Sequence, residues 1–435
     1  MPSSSAPPPP CPSCGDCRPL RHGVVSGCQR WRCRECQKTY SARTGTALAG
    51  VHSRGAVADW HELTERGLGV RLTARAIGVS DSTAWRWRSR FSESPPAYEP
   101  SVAIVSPTVI DLFAGAGGMS SGFVDAGYRV VAAIEVWDVA AASFRAAHPS
   151  AAVIVAPVET VSGRRLLRSA GLVRGECFAM VGGPPCPPFS SLSASRLTDD
   201  GRRELWREYL RLVDAVLPKW VVIENVPGLL SSGDAIDGIR SAFGEMGYAV
   251  DARVLDAADF GVPQFRRRAV IIGRRGGGAI RFPEPTHGDG RLPYMTAGNA
   301  LNAPMDAETT AAEIPALSPL AVERLSYIRP GESVWDAMSR LPDHLKIKGN
   351  GFPSSIYRRL SPGEPSYTVV GNGGGGTLIY HWRDDRPMSN RERARLQGFA
   401  DNLVFHGSTT DVRSQIGNAV PPPLARAIAS ALRSA

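Results

Sequence analysis

The chain has 435 residues, 43% hydrophobic and 21% charged, with a formal net charge of +9. That composition excludes a disordered or fibrous chain and allows a sizeable core, and at roughly 100–200 residues per domain the length predicts two to four domains. No apolar run reaches the roughly 18 residues of a membrane-spanning helix, and MPSSSAPPPP lacks the charged-then-apolar pattern of a signal peptide. A cytoplasmic, bacterial-type, nucleoid-associated protein is therefore expected. A basic balance points to a polyanionic partner, nucleic acid first. Residues 1–100 hold 14 Lys and Arg against 8 Asp and Glu, so most of the excess lies at the N-terminus.

Six of the eight cysteines fall between Cys11 and Cys36. In a reducing compartment such clustering reads as metal binding before disulfides. Cys11-x2-Cys14 and Cys33-x2-Cys36 each present two thiolates from one turn, which is the set a structural Zn²⁺ needs. A zinc ribbon is predicted over 1–50 with Cys11, Cys14, Cys33 and Cys36 as ligands, and Cys17 and Cys28 stand open as substitutes or spectators. Arg30, Trp31, Arg32, Arg34, Lys38 and Tyr40 interleave basic and aromatic side chains, as a nucleic-acid surface does. CPSCGDC followed by RWRCRECQKTYSARTGT resembles the zinc ribbons at the start of certain transposase-associated proteins.

Leu72 to Phe91 predicts a helix-turn-helix within 51–91. Leu72, Ala76 and Ile77 form an apolar face, Gly78-Val79-Ser80 makes the turn, and Ser80 or Asp81 caps a second helix. Trp85 is expected in its core, with Ser82, Thr83, Arg86 and Arg90 as candidate DNA contacts. The Pro-rich stretch SESPPAYEPS opens a linker over 92–107.

From Val109 the pattern becomes strand, Gly-rich turn, helix, strand. Val109 to Phe113 is an apolar strand run, Gly115, Gly117 and Gly118 permit a tight turn, and a helix starts near Ser120. Val130 to Ile134 is a second strand ending in Glu135, an acid about 20 residues beyond the turn, which suits ribose hydroxyls of a nucleotide-like cofactor. GGPPCPPFS sets Cys186 in a rigid Pro/Gly loop after a strand, as a nucleophile rather than a core residue. WVVIENV ends a buried strand in Glu224, where active sites of α/β sheets lie. In QFRRR, the residues Gln264, Arg266 and Arg268 alternate onto one face.

DLFAGAGG, GGPPCPPFS, ENV, QFRRR and QIGNAVPP, in this order over residues 108 to 435, resemble the DNA (cytosine-5) methyltransferase family. The resemblance implies an α/β fold: a Rossmann-like S-adenosylmethionine-dependent methyltransferase domain over 108–283, a smaller target-recognition region over 284–358, and C-terminal motifs over 359–435 completing the catalytic domain. It implies Cys186 as the nucleophile toward cytosine C6, Glu224 on N3 and the amino group, and Arg268 on O2 with Arg266 as support. It places the cofactor against Phe113, Ala114, Gly115, Gly117, Gly118, Glu135, Leu205, Asn418 and Val420. Two positions depart from the family pattern. Pro157 stands where an acid toward the adenine amino group is expected, and Pro187 replaces the usual Gln after the nucleophile.

The function this implies is site-specific methylation of double-stranded DNA by a monomer, in the company of a cognate restriction endonuclease if one exists. The rivals are a transcriptional regulator working through residues 1–91, and a tRNA cytosine-5 methyltransferase built on the same motifs. The N-terminal module and the recognition-sized insert favour DNA.

Overall fold

The computed structural model describes residues 20–25, 28–41, 106–185, 205–302, 312–348, 356–371 and 378–433, with six single residues between 70 and 87. The chain divides into two compact units, 1–104 and 105–435. Among the described residues no helix is long and apolar enough to cross a membrane.

In the first unit, β1 (Leu20–Val25), β2 (Cys28–Arg32) and β3 (Thr39–Ser41) form an antiparallel sheet in that order. Cys33 follows β2 and is fully buried with Tyr40. The Cys36 amide donates to Cys33 Sγ at 3.4 Å, so the sulfur accepts a bond from its own turn. Cys11 and Cys14 lie outside the described residues. Among the described ones, no three His, Cys, Asp or Glu gather as a metal site. Further along, Val70 and Ala74 are helical and buried, Val79 is not helical, and Thr83, Ala84 and Trp87 are helical again. Ala84 and Trp87 are buried. Leu72, Ala76, Ile77, Trp85 and the three candidate DNA contacts other than Thr83 lie outside the described residues.

The second unit is built on seven strands in the order β6-β5-β4-β7-β8-β10-β9. They are β4 (Thr108–Leu112), β5 (Arg129–Glu135), β6 (Ala152–Val155), β7 (Ala179–Gly182), β8 (Trp220–Asn225), β9 (Tyr248–Asp256) and β10 (Arg267–Arg275). The first five are parallel, and β10 runs antiparallel to both β8 and β9. TVIDL and WVVIEN are buried throughout, as strands covered on both faces must be. The helices α1 (Gly118–Asp125), α2 (Asp138–Ala147), α3 (Gly163–Ala170), α4 (Leu205–Val216) and α5 (Gly233–Glu245) make the crossovers.

Two apolar layers follow from strand alternation. Ile110, Leu112, Val221 and Ile223 pack against Leu166, Leu212 and Ile239 of α3, α4 and α5. Val109, Trp220, Val222 and Val270 face the other way, toward Phe123 of α1, Phe144 of α2 and Leu424 and Ile428 near the C-terminus. The chain leaves β4 toward β5 and β6, then returns to add β7 and β8 on the other side. The carboxyl ends of β4 and β7 are therefore a topological switch point, where open α/β sheets bind ligands.

Beyond β10, α6 (Ala297–Leu301), α7 (Pro319–Ser326), α8 (Val334–Ala337), α9 (Asn390–Leu396) and α10 (Thr409–Asn418) belong to a smaller region. It has two cores of its own, one around Leu325, Val334, Leu345 and Tyr380, the other around Leu360, Val369, Leu396 and Ile416. Both draw residues from either side of position 358. The last helix, α11 (Pro422–Arg433), returns to the large sheet. It crosses α1 so closely that a Cβ on Gly122 would run into Pro422 and Ala425.

Candidate active site

The Gly-rich turn begins one residue earlier than the apolar run suggests. β4 stops at Leu112, and Phe113 takes the left-handed conformation, φ 57°. Such a φ is strained for an aromatic residue and persists only where surrounding structure fixes it. Gly115 and Gly117 also have positive φ, and around a Cβ on Gly115 there is nothing within 4 Å. The turn is thus open where a ligand would approach. Glu135, at the end of β5, holds it: one carboxylate oxygen accepts from the Gly115 amide at 2.7 Å and the other from the Trp137 amide at 2.8 Å. Behind it, His148 Nε2 lies 3.3 Å from the Gly117 carbonyl.

On the far side of the switch point, Glu224 Oε1 pairs with Arg268 Nε at 2.9 Å, both side chains being nearly buried. Val270 pairs with Glu224 across the ladder, and alternation along β10 puts Arg268 on the same face. Asn225 donates to the Pro184 carbonyl at 2.9 Å, tying the end of β8 to the segment that leads into Cys186. Cys186 itself lies outside the described residues, as does the rest of 186–204.

Arg266 behaves differently from Arg268. It is buried, and its terminal nitrogens donate to the carbonyls of Val369 at 3.0 Å, Gly417 at 2.8 Å and Ala419 at 3.0 Å. Burial, with Arg268 nearby, pulls its pKa down to about 9, which leaves it protonated at neutral pH. Arg266 was expected beside the catalytic groups. It lines the cavity there, yet its terminal nitrogens go to the backbone while its buried Nε has no hydrogen-bond partner among the described residues, so what these bonds do is draw the C-terminal segment onto the sheet. Gln264 does the same work, accepting from the Val369 amide and donating to Gln397 and the Leu396 carbonyl. Gln264 and Arg266 precede the strand rather than lying in it, yet the alternation holds: Phe265 between them points outward.

These walls enclose one cavity of about 580 Å³. Of the expected cofactor residues, Phe113, Ala114, Gly115, Gly118, Glu135, Leu205, Asn418 and Val420 line it, with Glu224, Arg266 and Arg268 at the other end. Gly117 does not line it and instead caps α1 from behind. Four contributors went unnoticed in the sequence. Val136 and Trp137 line the cavity beside Glu135, and Glu159 lines it with Pro157, the position where an acid was expected. Asp111 lines it too, fully buried within an apolar strand, accepting from Ser120 Oγ at 2.6 Å. The one available signal was a lone carboxylate inside the run VIDLF.

Residues 107–434 match the family described as C-5 cytosine-specific DNA methylase. The chain belongs to that family. Among the proteins it resembles are the Type II methyltransferase M.NgoFVII of Neisseria gonorrhoeae, 39% identical over 73% of this chain and 83% of that one, and the Type II methyltransferase M1.HphI of Haemophilus parahaemolyticus, 37% identical over 75% and 87%. A prophage-encoded DNA modification methyltransferase of known structure, from E. coli, superposes with a TM-score of 0.61 at 23% identity, covering 76% of this chain and 99% of that one. For this methylase the cavity fits S-adenosylmethionine: an open glycine cradle, a carboxylate at the end of β5, and apolar walls at Val136, Ala156 and Val158.

Proposed function

We propose that this chain transfers a methyl group from S-adenosylmethionine to carbon 5 of a cytosine in double-stranded DNA, at a specific sequence, with Cys186 as a transient nucleophile. The observation that carries this reading is the single cavity joining Glu135 to the Glu224–Arg268 pair. The strands β5 and β8 are three strand spacings apart, about 14 Å, so cofactor and base are met from opposite ends of one chamber.

Cytosine C5 in the aromatic ring is a weak nucleophile. Thiolate attack by Cys186 on C6 would break the aromaticity and give C5 enamine character. Glu224 would hold N3 and the amino group, and Arg268 the O2 side, so that charge gathered on the ring during attack meets fixed partners. The cofactor, when bound, supplies an electrophilic methyl on a sulfonium. Loss of the C5 proton and expulsion of the Cys186 thiolate restore the aromatic ring. Glu135 would hold the ribose, while Phe113, Leu205, Asn418 and Val420 would pack about the cofactor. The target atom is out of reach in a stacked duplex, so the base must be flipped into the chamber, at a few kcal/mol.

The smaller region, 284–358, would read base edges in the major groove. Residues 1–50 would form a zinc ribbon held by Cys11, Cys14, Cys33 and Cys36. Buried Cys33, accepting its own turn's amide, supports that ligand role, since the turn already orients the sulfur. Residues 51–91 would form a helix-turn-helix that adds a second hold on DNA.

Bisulfite sequencing of DNA from cells expressing the chain, beside a Cys186→Ala control, tests the central claim. Methylated cytosines in one short recurring sequence, absent from the control, are expected; methylation surviving in the control would remove Cys186 from its role. Metal analysis of the purified protein should find one zinc per chain, lost in Cys33→Ser. Site-specific methylation unchanged on deleting residues 1–100 would assign the N-terminal unit to another task.

A further inference from the structure

Three carboxyl groups stand on one face of the sheet along the switch-point edge: Glu135 at the end of β5, Asp111 next to the end of β4, and Glu224 at the end of β8. All three line the cavity. Glu135 is taken up by two amides and Glu224 by Arg268. Asp111 is bonded to Ser120 of α1 and, among the described residues, pairs with no basic side chain. A buried carboxylate without a cation is costly, so its usual company is an opposite charge.

The position of Asp111 says which charge that is. Its strand lies between β5, which would hold the ribose, and β7 and β8, which carry the reaction end. A methyl group passing from cofactor to base must start between those two ends. The sulfonium, the positive centre that distinguishes the cofactor from its demethylated product, therefore belongs beside β4. We propose that Asp111 is the counter-charge to the sulfonium, and that it makes the cavity favour the methyl-bearing cofactor over S-adenosylhomocysteine. This rests on reading the cavity as the cofactor site.

Burial, aided by Glu135 and opposed by the Ser120 hydrogen bond, raises the Asp111 pKa to about 7. The groups that face it are Ser120 of α1, Glu135 of β5 and Tyr209 of α4, whose own pKa burial raises well above its usual value. Tyr209 thus stays neutral throughout. A cation beside Asp111 favours its ionised form, so below about pH 7 binding of a cationic ligand must release a proton. Affinity for that ligand rises with pH until Asp111 is already ionised in the free protein. A ligand without the positive centre gains nothing from the same change.

Calorimetric titration of the full-length protein with S-adenosylmethionine, S-adenosylhomocysteine and sinefungin, whose amine replaces the sulfonium with another cation, tests this between pH 6 and 8. Relative to S-adenosylhomocysteine, both cationic ligands should tighten by roughly five- to tenfold over that range, the span of a one- to two-unit pKa shift. At pH 6.5 their binding should release protons, measured in two buffers of different ionisation heat. Asp111→Asn should make the ratio independent of pH while still binding S-adenosylhomocysteine. Ser120→Ala keeps the carboxyl but removes a bond to its charged form, so the midpoint should move to higher pH; it decides the matter if Asp111→Asn fails to fold. A ratio flat with pH in the native chain, or one retained in Asp111→Asn, overturns the role of Asp111. If none of the three ligands binds at any pH, the cofactor reading itself fails.

Discussion

The two walls of the cavity are made in opposite ways. The cofactor wall comes mostly from one stretch, Asp111 to Glu159, in which strand, turn, helix and strand follow one another and Glu135 reaches back 20 residues to the Gly115 amide. The base wall is gathered from pieces far apart: Gly183 to Pro185, Glu224 to Val226, and Arg266 and Arg268, with Gln415, Gly417 and Ala419 brought in from beyond position 400. Arg266 joins residues 103 and 151 positions away. A wall of local contacts is set by turn chemistry and fails piecemeal. A wall of distant contacts depends on a few buried donors and fails as a whole.

Substitutions on each side can break or sharpen that contrast. Glu224→Gln keeps shape but alters the group that would follow charge on the base, so kcat should fall roughly 100- to 10,000-fold. Binding of S-adenosylhomocysteine, followed by calorimetry, should stay within about threefold. Arg266→Met leaves three buried carbonyls without their donor and should cost about 3 kcal/mol of stability in chemical denaturation. It should also lower kcat well beyond any change in cofactor Kd; equal losses in both would show that the walls do not act separately. Glu135→Gln can accept from only one of its two amides without turning an NH₂ toward the other. About a tenfold weaker Kd for S-adenosylhomocysteine is expected, with the melting temperature nearly unchanged.

The same contrast explains what the sequence disclosed. Glu135 was legible because a Gly-rich turn and an acid about 20 residues later are joined by one βαβ unit, whose geometry is fixed locally. Glu224 was legible because a carboxylate ending the apolar run WVVIEN has nowhere to go but the sheet's edge. The work of Arg266 was not, because its acceptors are main-chain carbonyls, and a carbonyl carries no residue identity into the sequence. Phe113 read as the last strand residue since apolar pattern cannot register the sign of φ. Asp111 was missed for a related reason: one polar residue in a buried strand breaks no period long enough to be noticed. In the smaller region, Tyr380 packs with Leu325 and Val334 across more than forty residues, contacts that composition alone does not forecast.

The reach of Arg266 also has a consequence for where the chain can be cut. Its partners Gly417 and Ala419 follow every strand of the sheet in the chain, and a Cβ on Gly417 would collide with the backbone of Val370 and Gly371, so that segment seats in one way only. The Gly-rich turn and every strand of the sheet come before residue 417, while Gly417, Asn418, Ala419 and Val420 complete the cavity lining after them. Cutting the chain before residue 417 would therefore leave Arg266 without two of its three acceptors and the cavity without part of its lining.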